Sequence, residues 1–379
     1  MLDRGRGSRP VPGAAAPKGT PVIHLLVLAA CAVVIYLACE WFVNAVEWLG
    51  VRLKVGPVAV GTILAAAGTA LPESVVTLVA VLFGSPEHGA DVGIGAALGG
   101  PLVVGTISYG VAGWMLLARR RRGGAAVAVG APAAGVPDLD LRHPGGEVPP
   151  PDADELDGTD TRRLARDQVW FLAIFAAKVG LGLVAFAVKP WLGVLFLLAY
   201  AAYFRREVAG GGEASAEDLE PLRLQRRRPV PSTAAVVAQT LVTLAVVFAA
   251  SQLFVGQLEA VAPTLGLPPV VVALLLSPIA TELPETMNAI IWVRQGKAEL
   301  ALANISGSMM IQATVPSALG LFFTPWLFDA PLVLAGVATL AAVGYLLAVL
   351  RSGRLTPGRL AAASLFYVAF AVALVVVLA

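Results

Sequence analysis

Ala280-Thr281-Glu282-Leu283-Pro284-Glu285 sets a helix-breaking proline and two carboxylates inside an apolar run from Leu267 to Trp292. The chain holds a second version, Gly68-Thr69-Ala70-Leu71-Pro72-Glu73, inside the apolar run from Pro57 to Phe83. The flanks repeat as well. Phe42-Val43 is followed four residues after Val43 by Glu47, and Glu47 lies 26 residues before Glu73. Phe254-Val255 is followed four residues after Val255 by Glu259, and Glu259 lies 26 residues before Glu285. The identical register marks a duplicated unit. A duplicated pair of Pro-interrupted, carboxylate-bearing apolar segments points to a transport site at the bilayer midplane.

Composition sets the class. The 379 residues are 58% hydrophobic and 14% charged, and several apolar runs are long enough to cross about 30 Å of hydrocarbon. Membrane β-strands need alternating segments of roughly ten residues, whereas these runs are continuous. The expected fold is an all-α polytopic membrane protein. The net charge of +2 is confined to loops and tails and implies no nucleic acid. Cys31 and Cys39 lie too far apart along one predicted helix to form a disulfide with each other. His24, His88 and His143 fall at segment ends or in loops, so no helix carries the paired histidines of a metal enzyme.

Apolar runs and their breakers predict ten spans, at about 22–50, 56–84, 90–118, 167–188, 190–205, 232–261, 267–295, 298–325, 329–350 and 358–378. Residues 1–21 read as a disordered tail, 22–205 as a first membrane repeat containing a flexible cytoplasmic loop at 119–166, 206–231 as a cytoplasmic linker, and 232–379 as a second repeat. Loops following the odd-numbered spans hold 21 of the 27 Lys and Arg residues, which places those loops in the cytoplasm and both termini outside. Five spans per half means that the second half starts on the opposite side. The expected architecture is two inverted-topology five-helix repeats in the cytoplasmic membrane.

A carboxylate at the centre of a spanning helix costs about 2.5–3.5 kcal/mol on insertion scales. Glu73, Glu282 and Glu285 therefore call for compensation. The interior of the spans that bear them holds no Lys or Arg, and Lys178 is the only basic residue well inside any predicted span. A bound cation supplies the counter-charge; protonated glutamates acting as interhelical hydrogen-bond donors are the alternative. Pro72 and Pro284 remove backbone donors, so carbonyls around Thr69 and Thr281 become available. Carboxylate, carbonyl and hydroxyl oxygens together are what a hard cation requires. Clustered carboxylates resist joint ionisation, so one of the three could carry a proton.

The third member of each repeat breaks the symmetry. Asn304, Ser308 and Gln312 share one helix face, whereas the matching positions aligned on Gly99 and Gly307 are Ala96, Gly100 and Val104. Polar ligands are concentrated in the second half. Interhelical hydrogen bonding is the competing role for Asn304 and Gln312. Glu40, Asn44 and Glu47 share a face of the first span. Glu40, Glu47 and Glu259 are candidates for gating or access, with ordinary interfacial solvation as the alternative for the latter two.

At these motifs the sequence resembles the calcium/cation antiporter superfamily, which includes the sodium/calcium exchangers and whose repeats read approximately G-T-S-x-P-E followed by G-S-N. Here they stand as GTALPE with GAALGGP, and as ATELPE with NISGSMMIQ, across residues 40–106 and 252–314. Ala70 and Glu282 replace the motif serine, Gly100 and Pro101 replace Ser-Asn, and Val104 and Gln312 stand where exchangers commonly have Asn or Asp. The resemblance implies a secondary antiporter in which Glu73 and Glu285 bind the transported ion and Thr69, Thr281 and Ser308 contribute ligands. The expected activity is exchange of Ca²⁺ for Na⁺; a proton-coupled divalent exchanger and a non-transporting cation sensor are the alternatives. No enzymatic chemistry and no cofactor are expected. The expected partners are small inorganic cations and the bilayer.

Overall fold

In the computed structural model every regular element among the described residues is helical. The structure describes residues 21–83, 89–129, 156, 159–209, 219–261 and 275–378. Helix α1 (Pro21–Leu53) is followed by α2 (Pro57–Ala59), a π-helical turn at Val60–Ala65 and α3 (Ala66–Phe83). Helix α4 (Gly89–Val103) passes through a second π turn, Val104–Ser108, into α5 (Tyr109–Val129). Next come α6 (Thr161–Gly182), a 3₁₀ turn at Lys189–Leu192, α7 (Gly193–Ala209) and α8 (Thr233–Val261). The remainder is α9 (Ser277–Thr281), α10 (Leu283–Arg294), α11 (Ala298–Phe323), α12 (Ala330–Arg351), α13 (Pro357–Ala362) and α14 (Ser364–Leu378).

Six stretches among the described residues are long and apolar enough to cross a membrane: Ile23–Leu53, Ile94–Arg121, Thr233–Phe254, Ala298–Phe323, Ala330–Arg351 and Pro357–Leu378. The other four predicted spans fall on less regular ground. Pro57–Phe83 contains the π turn, α6 carries Arg162, Arg163, Arg166, Asp167 and Lys178, α7 is 17 residues long, and the stretch from 267 lies outside the described residues as far as 274.

Helix α11 is the axis of the molecule. In its most apolar window 83% of the residues are buried, against 28–67% in the other five candidate spans. Around it stand α3, α4, α6, α7 and α10. Glycines set the closest approaches, because only a missing Cβ lets backbones meet at this distance. A Cβ on Gly307 would lie 2.2 Å from the Thr62 carbonyl oxygen, and one on Gly99 would lie 2.5 Å from Pro278 Cγ. Each half therefore drives the third member of its repeat into the proline-bearing segment of the other. Helices α1 and α8 lie along each other at the edge, with Leu26, Val33, Leu241 and Val242 pointing outward. Such a face suits lipid.

Two boundaries differ from the sequence reading. Helix α5 continues through Arg119–Arg122 to Val129, and α6 begins at Thr161, so both ends of the expected 119–166 loop are helical. Asp160 caps α6 by accepting the amides of Arg162 and Arg163. Of the expected 206–231 linker, residues 206–209 continue α7, and the chain from residue 219 is packed on α1 and α8. Its Leu222 is buried against Ala45, Trp48, Ala235 and Val236, and its backbone is held by Asn44, Trp48 and Gln239. Composition does not show this, because one buried leucine and side chains from α1 and α8 do the work a core of its own would do.

Candidate cation site

The proline motif acts differently in the two halves. In the second, the helix breaks at Glu282, whose φ of −87° and ψ of 7° separate α9 from α10. In the first, α3 runs unbroken through Pro72. The Thr69 hydroxyl donates to Ala65 O at 3.1 Å, and the Thr281 hydroxyl donates to Pro278 O at 3.1 Å. Both threonines thus have a hydroxyl bound to their own helix, leaving oxygen lone pairs for a ligand. Glu285 sits in the first turn of α10, where the helix N-terminus favours a carboxylate, and it is 1% exposed.

Helices α10 and α11 form an antiparallel hairpin. Its turn depends on Gly296, whose φ of 79° is in the left-handed region, and closes through the Lys297 amide to Trp292 O at 2.8 Å. The register is fixed deep in the hairpin, where Gln312 Nε2 donates to Glu282 Oε2 at 2.7 Å. One turn nearer the loop on each helix, Glu285 faces the level of Ser308; one turn further, Asn288 faces the level of Asn304. All six side chains are buried. Asn288, Asn304 and the Ser308 hydroxyl have no hydrogen-bond partner among the described residues.

A buried amide or hydroxyl left without a partner costs about 1–3 kcal/mol. Three in a column beside two carboxylates is the pattern of a ligand site. Among the described residues no three carboxylate, imidazole or thiol side chains converge. The donors are instead mixed oxygens, which suits a hard cation that must also leave.

The first half meets this column through Ala66 and Ala70 of α3, which are clustered with Ile311 of α11. Thr69 is therefore next to residues at the level of Gln312. Glu73 lies on the same helix one turn beyond Ala70, and its side chain, like that of Glu259, lies outside the described residues. Asn288 was not among the sequence candidates. Its signal is its spacing of three from Glu285, on the same face of α10.

The expected gate residues lie away from the column. Glu47 accepts from Trp292 Nε1 at 2.9 Å and from Lys297 Nζ at 2.6 and 2.7 Å, so α1 is fastened to the α10–α11 turn. Glu40 pairs with Arg223 of the linker at 3.5 Å. Asn44 accepts from the Arg223 amide and donates to Glu220 O. This face of α1 binds the linker.

The comparisons with known proteins agree with this architecture. Two structures of the sodium-calcium exchanger NCX_Mj, soaked with 10 mM Na⁺ and zero Ca²⁺ or with 100 mM Na⁺ and 10 mM Sr²⁺, superpose with a TM-score of 0.65 at 16% identity. The match covers 92% of this chain and 98% or 97% of theirs, and it shows a shared fold. A relative named "Putative antiporter CaxA", from Alkalimonas amylolytica, is 30% identical over 140 residues. That alignment covers 36% of this chain and 44% of CaxA, so the chain spans less than half the length of that relative. The family model described as sodium/calcium exchanger protein matches residues 23–205 and 235–378, nearly the whole membrane part. The chain belongs to the sodium/calcium exchanger family.

Proposed function

We propose that this protein is a secondary cation antiporter of the cytoplasmic membrane that exchanges Ca²⁺, or a related divalent cation, for Na⁺ by alternating access. It works as ten spans in two inverted five-helix repeats, with both termini outside. The observation that carries the reading is the buried column of Glu282, Glu285, Asn288, Asn304, Ser308 and Gln312, with Asn288, Asn304 and the Ser308 hydroxyl lacking partners among the described residues. A dehydrated cation is a partner for the oxygens of Asn288, Asn304 and Ser308. Thr69, Thr281 and Glu73 complete the set from the proline segments. Exchange follows if the two ions compete for one negative cavity, since a ligand shifts the conformational equilibrium only by its differential affinity for the two states.

A proton-coupled exchanger is the second reading, favoured by one observation. Glu282 stands where the motif has serine, and it is hydrogen-bonded to Gln312 within a chain whose first half has lost its polar stripe. The test is ⁴⁵Ca²⁺ uptake into proteoliposomes under an outward Na⁺ gradient and, separately, an outward H⁺ gradient, with Glu285→Gln as control. Uptake driven by Na⁺ and lost in the variant supports the first reading; uptake driven by H⁺ alone selects the second. Absence of uptake under both refutes Ca²⁺ antiport.

A further inference from the structure

Lys178 is 0% exposed in the middle of α6 and is not a member of the cation column. Its ammonium group donates to Ala97 O of α4 at 2.5 Å and also reaches Gln312 O of α11 at 3.4 Å. The Phe175 ring lies beneath it, 4.8 Å from centroid to Nζ.

These two carbonyls have a property in common that the sequence shows. Residue 101, four after Ala97, is proline, and residue 316, four after Gln312, is also proline; both lie inside their helices. A carbonyl in an α-helix accepts from the N–H four residues on, and proline has none. Pro101 and Pro316 therefore turn two backbone oxygens, one from each half, away from the helical ladder. Oxygens released in this way at membrane depth must be satisfied by protein, water or an ion. Backbone carbonyls freed from helices coordinate Na⁺ in some secondary transporters. The pair here lies one residue from Ala96, where the first half has no polar side chain, and on the same residue whose amide holds Glu282.

We propose that Lys178 is a tethered cation: its ammonium occupies a carbonyl-lined monovalent-cation site between the two halves, opened by Pro101 and Pro316, and supplies in covalent form a positive charge that an ion would otherwise bring. For ion count this rests on the exchange reading, because a site filled by lysine is closed to a coupling ion. The occupancy itself is tested without transport.

The experiment compares melting temperatures of the purified full-length protein and K178A in 100 mM choline, sodium, potassium, ammonium or methylammonium chloride. K178A is expected to melt lower than the parent in choline and, with each loss taken against the parent in the same salt, to recover at least half of that loss in one of the small cations. No loss in choline, or a loss equal in all five salts, overturns the proposal. Should K178A not fold, K178M in a P101A/P316A background decides. With both carbonyls returned to helical N–H donors, the lysine becomes dispensable, so adding K178M is expected to lower the melting temperature of P101A/P316A far less than that of the parent. Equal losses in the two backgrounds overturn it. A positive result stands even if no Ca²⁺ flux is found, so its failure and the failure of the exchange reading are separable.

Discussion

Replacing Gln312 with leucine tests the column at its best-defined contact. Gln312 is 1% exposed, Glu282 is 0% exposed, and the Nε2–Oε2 distance between them is 2.7 Å. Leucine keeps the volume of the side chain near the native one and removes the donor. A hydrogen bond to a charged group is worth about 1.5–3 kcal/mol, and loss of one from a buried carboxylate lies toward the upper part of that range. To the extent that this bond holds Glu282 in the geometry the bound cation needs, its loss at 1.4 kcal/mol per factor of ten weakens cation binding by up to about 100-fold. The assay is the Ca²⁺ concentration dependence of exchange in proteoliposomes. KM for Ca²⁺ is expected to rise by that factor, and Gln312→Glu, which supplies another oxygen ligand but no amide donor, should change ion selectivity. A Q312L protein with native KM and native Na⁺ dependence would show that the pair is only helix-to-helix glue, and the column would lose its deepest member.

Asn288→Leu and Asn304→Leu remove buried amides that lack partners among the described residues, so each should raise stability by about 1–3 kcal/mol in thermal melts while lowering exchange at least tenfold; variants that lose stability and keep flux contradict the ligand role. Gly307→Ala places a methyl 2.2 Å from Thr62 O, where backbone has to move, and should cost about 1–3 kcal/mol; an unchanged melting temperature would mean that the halves are not wedged there. Lys297→Met leaves the Glu47 carboxylate with Trp292 alone. Because Lys297 is 29% exposed, the expected loss is about 1–3 kcal/mol rather than the larger cost of a fully buried pair, and Glu47→Gln in the same chain should restore part of it, as read by melting of the single and double variants.

The duplication is legible in the sequence because two chemically costly features, a mid-span proline and a mid-span glutamate, recur at one spacing. The Asn304, Ser308 and Gln312 face is legible on the same ground: polar groups repeated at helical period in an apolar run are too costly to bury without a partner or a ligand. Asn288 stands out less, because a single asparagine near a charged motif does not form a period by itself. The fastening of Glu47 to Lys297 leaves no local trace, since its partners are 250 residues apart in the chain. Nor does the ordering of the linker from residue 219, which depends on Leu222 finding a slot between two helices from different halves. The first-half helix keeps its course through Pro72 while the second breaks at Glu282, a difference the shared Leu-Pro-Glu string does not encode.

The π turn at Val60–Ala65 bears on ancestry. A π turn holds one more residue than an α turn and is an uncommon irregularity inside helices. Leu275 and Leu276, π-helical in the second half, fall at the positions of Ile63 and Leu64 once the halves are aligned on Glu73 and Glu285. The same rare irregularity at the same place in both copies dates it to before the gene doubled. The polar face of α11, present in one copy only, diverged afterwards. A bent, proline-bearing segment is thus common to the two halves, and the polar face of α11 is what sets the second apart.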